Sequence, residues 1–128
     1  MILDSSAVIA VLLAEPGYET LLAKMKSNPS LAIAAPTLVE TLIVLRHRAA
    51  GDPSKEVIGF LRALDAQVIS MTEDHCAVAA KADAKYGKGR HLAALNFGDC
   101  LSYAAAKVAD EPLLFTGNDF GRTDIQVA

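Results

Sequence analysis

Short apolar runs alternate with longer amphipathic ones along this 128-residue chain, and the alternation predicts an α/β domain with a mainly parallel sheet flanked by helices. Three observations carry that expectation. The runs Ile2-Leu3, Leu31–Ala34 and Leu113–Phe115 are too short for helices and read as buried strands. Segments with apolar residues at helical spacing separate them. Gly, Pro, Asn and Asp punctuate most of the boundaries. The length suits one domain, residues 1–128, without internal repeat or linker.

The first strand stops at Asp4, and Ala7 to Leu13 follow as a helix for which Ser5 or Ser6 is the expected N-cap. Glu15-Pro16-Gly17 breaks it, and Tyr18 to Lys26 form a second helix with Leu21, Leu22 and Met25 at helical spacing. After the second strand, Pro36 suits the first turn of a third helix, roughly Thr37 to Ala49. Leu38, Val39, Leu42, Ile43, Val44 and Leu45 wrap most of its circumference, so one side is expected to meet another chain. Glu40 lies within this apolar segment, which is costly for an anion unless it is paired or metal-bound. Ser54 to Leu64 read as a helix, Val68-Ile69 as a strand, and Thr72 to about Tyr86 as an alanine-rich helix. A basic, glycine-rich loop, Gly87–His91, comes next. Asn96–Cys100 open a helix that runs to about Val108; after Leu113–Phe115 comes the loop Thr116–Phe120, and Ile125–Val127 suit a last short strand.

Composition narrows the function. Hydrophobic residues at 52% and charged ones at 21% exclude a disordered chain. Aromatics at 5%, with no Trp, disfavour recognition by rows of stacked bases. The apolar run Ala7–Ala14 is too short to span a bilayer and has no basic segment before it, and Cys76 and Cys100 lack metal-ligand spacing. A soluble, cytoplasmic protein with reduced thiols is the expectation. The net charge of -3 does not exclude a nucleic-acid partner: if four of the 15 acids are metal ligands, 11 remain against 12 Lys plus Arg, about +1 elsewhere.

Four carboxylates fall at comparable places. Asp4 ends the first strand, Glu40 lies on the helix after the second, Asp99 opens a helix and Asp119 follows the strand Leu113–Phe115. Each suits the carboxyl edge of a parallel sheet, where open α/β folds bind ligands. Oxygen donors converging there suit Mg²⁺ or Mn²⁺. Taken singly, Asp99 reads equally as a helix cap and Asp119 as a turn residue. Glu40 and Asp4 are harder to explain that way.

Asp4-Ser5-Ser6-Ala7, the lone Glu40, Asn96-Phe97-Gly98-Asp99-Cys100 and Gly117-Asn118-Asp119-Phe120 together resemble the PIN-domain nucleases, and within them the VapC toxins of bacterial toxin–antitoxin pairs. The resemblance covers the whole chain. It implies a three-layer domain with a parallel five-stranded sheet, and a Mg²⁺- or Mn²⁺-dependent endoribonuclease. It further implies a homodimer, inhibited by a cognate antitoxin. Asp4, Glu40, Asp99 and Asp119 match the acidic positions, with Ser6, Asn96 and Thr116 as supporting polar residues. Ser5 departs from the Thr more usual in the family but keeps the hydroxyl. The reaction implied is in-line attack of an activated water on phosphorus.

Lys85, Lys88, Arg90 and His91 are placed to contact RNA phosphates, or else form a solvated loop. Arg122 is a further candidate contact or an ion-pair partner. Arg46, His47 and Arg48 suit the helix dipole at the end of the third helix. Other Mg²⁺ phosphotransfer domains fit less well: an aspartyl phosphatase wants a second Asp where Ser6 stands, and a receiver wants its acceptor where Ser70 stands. A binding module with a vestigial acidic pocket is the non-enzymatic alternative.

Overall fold

The computed structural model describes residues 1–49 and 51–128. Strands β1 (Ile2–Leu3), β2 (Ala32–Ala34), β3 (Gln67–Ile69) and β4 (Leu113–Leu114) form a parallel sheet in the order β3-β2-β1-β4. Around it lie helices α1 (Ser5–Leu12), α2 (Tyr18–Ser27), α3 (Ala35–Arg48), α4 (Ser54–Ala63), α5 (Glu73–Tyr86) and α6 (Phe97–Ala109). No helix among the described residues is long and apolar enough to cross a membrane.

Successive strand residues point to opposite faces, and the core divides accordingly. Ile2, Ala34 and Leu113 pack against the alanine-rich faces of α5 and α6, with Tyr86, Leu95 and Tyr103. Leu3, Ile33 and Leu114 pack on the other face with Val8, Met25, Leu45, Val57 and Leu61. A two-residue strand such as β1 is therefore apolar throughout, because both of its faces are covered.

Strand order sets the site. The chain leaves β1 toward β2 and β3, then returns to place β4 on the other side of β1. Beyond β4 only Val127 adds a bridge, to Leu113, so the connections after β1 and β4 run in opposite directions. The carboxyl ends of these neighbours flank the crevice that such a reversal opens. The sheet among the described residues has four strands, where five were expected. Ile125 is buried in the core, and Val127 pairs with Leu113 as an isolated bridge.

Two local expectations are corrected. Asp4 itself, not Ser5 or Ser6, caps α1: its carboxylate Oδ2 accepts from the Ser6 backbone N–H at 3.0 Å. The buried stripe of α3 is Thr37, Thr41 and Leu45, at successive steps of four residues. The Thr41 hydroxyl donates to the Thr37 carbonyl at 2.8 Å, and the Thr37 and Ser102 hydroxyls share a bond of 3.2 Å, joining α3 to α6. With that line turned inward, Val39 and Ile43 are left 54% and 51% exposed.

The segment after β4 is tied down by buried and charged contacts. Phe120 packs on Phe115 with ring centroids 5.0 Å apart. The Tyr103 hydroxyl donates to Asp124 Oδ1 at 2.5 Å, and Lys107 reaches the other carboxylate oxygen at 3.3 Å. The Tyr103 bond, helped by Lys107, holds the Asp124 carboxyl down at about 2. A depressed folded value means stability that is present above the unfolded carboxyl range and lost as pH falls toward 2. Tyr103→Phe is predicted to cost about 1 kcal/mol in urea unfolding at neutral pH. The difference from wild type should shrink as pH falls to 2; a difference independent of pH would exclude the Asp124 bond as its source.

Candidate active site

Outside the carboxyl ends of β1 and β4 lies a cleft of about 280 Å³. Asp4, Glu40, Asp99 and Asp119 all line it, as do Ser6, Asn96 and Thr116. Local structure explains each placement. Asp4 follows β1 directly and is only 3% exposed. Its Oδ2 takes the Ser6 hydroxyl at 2.5 Å as well as the Ser6 amide, and the Ser6 oxygen in turn accepts from the Thr116 N–H at 3.0 Å. Ser6 thus ties the end of β1 to the loop after β4.

Asp99 and Asn96 cap α6 reciprocally. Asn96 Oδ1 accepts from the Asp99 N–H at 2.9 Å, and Asp99 Oδ2 accepts from the Asn96 N–H at 2.8 Å. Asp99 both caps the helix and lines the cleft, so its capping role does not remove it from the candidate site. Glu40 reaches the cleft by crossing Gly98: a β-carbon there would stand 2.5 Å from Glu40 Oε1 and 2.8 Å from Oε2. Only glycine leaves room for this carboxylate in its present position.

The four acids strain one another. Burial pushes the Asp99 carboxyl up to about 6, against the pull of the Asn96 amide, and the charges of Asp4, Asp119 and Glu40 push the same way. Burial also raises Glu40, with a Ser5 hydrogen bond opposing and Asp4 adding to the rise. The N-termini of α1 and α6 at the cleft offset part of this repulsion.

The donor set is all oxygen, since no His or Cys lines the cleft. That chemistry fits a hard divalent cation and disfavours zinc. Among the described residues, no three acidic, imidazole or thiol side chains already surround one point at coordinating distance. Mg²⁺ keeps several of its waters and needs only one or two direct carboxylates, so the donors fit the ion.

The basic candidates stand elsewhere. Arg90 pairs with Asp83 at 2.7 Å, His91 Nδ1 accepts from the Ala93 N–H at 3.0 Å, and Arg122 donates to the Leu92 carbonyl at 2.9 Å. Lys88 lines an apolar groove between α5 and α6. None of them lines the acidic cleft. Arg48 does, paired with Glu15 at 2.8 Å, and sequence reasoning missed both. A signal existed for Arg48: it lies eight residues after Glu40, on the same face of α3.

The acidic cleft at the switch point of a parallel sheet makes the molecule an α/β domain with its candidate site where such folds bind ligands. The sequence profile of the PIN domain matches residues 1–126, and the chain belongs to that family. Among its relatives is ribonuclease VapC36 of Mycobacterium tuberculosis, 44% identical over 128 residues, covering 98% of this chain and 91% of that protein. Ribonuclease VapC of Mycolicibacterium smegmatis is 38% identical over 125 residues, covering 98% and 97%. Among solved structures, the M. tuberculosis toxin VapC20, described as cleaving the sarcin–ricin loop, superposes with a TM-score of 0.79 at 15% identity, covering 99% of this chain and 97% of that one. A toxin–antitoxin complex from Klebsiella pneumoniae gives 0.72 at 16% identity, covering 99% and 95%. At those identities the structural likeness shows the fold.

The strain on Asp99 generates a stability prediction. Its native carboxyl binds a proton more tightly than the unfolded one, so between pH 3.8 and about 6 the native state carries more protons. That contribution is present at low pH and lost as pH rises through 6. Asp99→Asn is therefore predicted to be more stable than wild type in EDTA at neutral pH, with the gap closing toward pH 4. Mg²⁺ at ten times its dissociation constant should stabilise wild type by about 1.4 kcal/mol and the variant much less. Thermal melting in EDTA and in a Mg²⁺ series checks both; a less stable variant with an equal Mg²⁺ response would make Asp99 a cap alone.

Proposed function

We propose that this chain is the ribonuclease toxin of a toxin–antitoxin pair, a single nuclease domain that hydrolyses RNA phosphodiester bonds in the acidic cleft with Mg²⁺ or Mn²⁺. The observation that carries the reading is the convergence of Asp4, Glu40, Asp99 and Asp119 on one cleft at the β1/β4 crevice. The names of the full-length relatives, VapC ribonucleases, point the same way. A toxin that acts on RNA beside a cognate antitoxin is, in this reading, a cytoplasmic protein.

In this reading Asp4, Glu40, Asp99 and Asp119 would hold the cation. The cation, when bound, neutralises charge on the phosphoryl oxygens and acidifies water. The protein's own groups supply position. Ser6 fixes Asp4 against the Thr116 loop, and the Asn96 amide fixes one oxygen of Asp99. Gly98 admits the Glu40 carboxylate. Orientation of this kind matters because misplacement by about 1 Å can cost a hundredfold in rate.

Two partners follow. A cognate antitoxin is the partner expected to silence the cleft. A second copy of the chain is proposed to cover the apolar face where Val39 and Ile43 of α3 lie beside Phe97, which is 81% exposed. Such a patch is unusual on a surface facing only water.

Purified protein is predicted to cleave total RNA with Mg²⁺ or Mn²⁺, and Asp4→Asn to lose the activity. Gly98→Ala separates position from folding. It should raise stability by about 0.5–1 kcal/mol through helix propensity, yet lower cleavage about a hundredfold by displacing Glu40. Gly98→Ala at wild-type activity would remove Glu40 from the reaction.

Light scattering tests the pairing. Wild type is predicted to be a dimer at micromolar concentration and Ile43→Lys a folded monomer. A monomeric wild type, or a variant that stays dimeric, contradicts the α3 interface.

A further inference from the structure

We propose that Arg48 is the cleft's phosphate anchor, holding a backbone phosphate that flanks the scissile one, with Glu15 fixing its guanidinium in place. The inference rests on the ribonuclease reading and adds a substrate-binding residue to it. The problem it answers is electrostatic. Asp4, Glu15, Glu40, Asp99 and Asp119 line the cleft, and Arg48 is the one cation among the lining residues. Even with one divalent cation bound, that wall stays formally anionic, and RNA is a polyanion. A strand entering the cleft meets repulsion everywhere but at the cation and at Arg48.

The geometry supports a phosphate contact. Glu40, Val44 and Arg48 recur every four residues on α3, and all three line the cleft. At ~1.5 Å rise per residue, the Arg48 backbone stands ~12 Å along the helix from that of Glu40. That offset sets Arg48 beside the catalytic acids instead of among them, where a neighbouring phosphate of the same strand would pass.

The side chain is held but not used up. Arg48 Nη1 donates to Glu15 Oε1 at 2.8 Å, its one side-chain hydrogen bond among the described residues. A guanidinium carries five N–H donors in a planar fork that matches phosphate oxygens. The two side chains are 53% and 40% exposed. An ion pair so exposed adds little to stability, so its consequence is positional. The other arginines proposed as RNA contacts, Arg90 and Arg122, lie outside the cleft lining and are turned to Asp83 and to the Leu92 carbonyl.

The test is binding of a fluorescein-labelled, mixed-sequence single-stranded RNA oligonucleotide in an Asp99→Asn background, which prevents turnover. Adding Arg48→Ala is expected to weaken binding about tenfold at low salt and to reduce the slope of log Kd against log salt by about 0.7, the loss of one phosphate contact. Arg48→Lys should keep the slope and recover part of the affinity, and both should melt with the parent. In the otherwise wild-type chain, Arg48→Ala should raise KM for total RNA and leave kcat within about twofold. Unchanged affinity and slope in Arg48→Ala would overturn the anchor. So would a lowered melting point in Arg48→Lys together with affinity as poor as that of Arg48→Ala, since Arg48 would then be structural. If wild type neither binds nor cleaves RNA, the ribonuclease reading falls and the anchor with it; cleavage by wild type with a silent Arg48→Ala removes the anchor alone.

Discussion

Two unit charges ~5 Å apart at an effective dielectric of ~20 repel by ~3 kcal/mol, and this molecule brings four carboxylates to one edge of its sheet. Much of the surrounding structure answers that repulsion. Asp4, almost wholly buried, takes two hydrogen bonds from Ser6 at the N-terminus of α1. Asp99 takes the Asn96 amide at the N-terminus of α6. Even so, burial first and the neighbouring acids second push its carboxyl up to about 6. The proposed cation would relieve this stress.

The scaffold delivers the acids with little chain. The strands of the sheet are two or three residues long; Asp4 is the first residue beyond β1, Glu40 and Asp99 stand on α3 and α6, and Asp119 lies in the loop after β4. The reversal of connection at β1 and β4 opens the crevice between Asp4 and the Thr116–Asp119 loop. The Ser6–Thr116 bond closes its floor, and the Tyr103–Asp124 bond secures the segment that carries Asp119.

The acids were legible in the sequence because charge is conspicuous where apolar residues dominate. Asp4 interrupts a buried run, and Glu40 sits in a helix apolar nearly all round. The alternation of strands and helices was legible for the same reason, since each run has the length and period of its element. What escaped has physical causes too. Asp4 took the N-cap role because α1 already begins at Ser5, which puts the Ser6 amide at the position that an Asp4 cap reaches. The expected fifth strand shrank to the bridge at Val127. Arg48 was read as a partner of the helix dipole, because the closeness of Glu15 depends on how α1 and α3 pack, which no local pattern encodes. The basic loop drew attention for its charge, but its side chains are engaged with Asp83 and backbone groups away from the cleft.

The central claim is that the four carboxylates form one divalent-cation site. Crystals soaked in Mn²⁺ and measured for anomalous scattering test it most directly. The account predicts an anomalous peak inside the cleft, within direct or one-water reach of Asp4 and Asp99, with oxygen ligands alone. A fully soaked crystal with an empty cleft, or with its strong peak at another site, would contradict it.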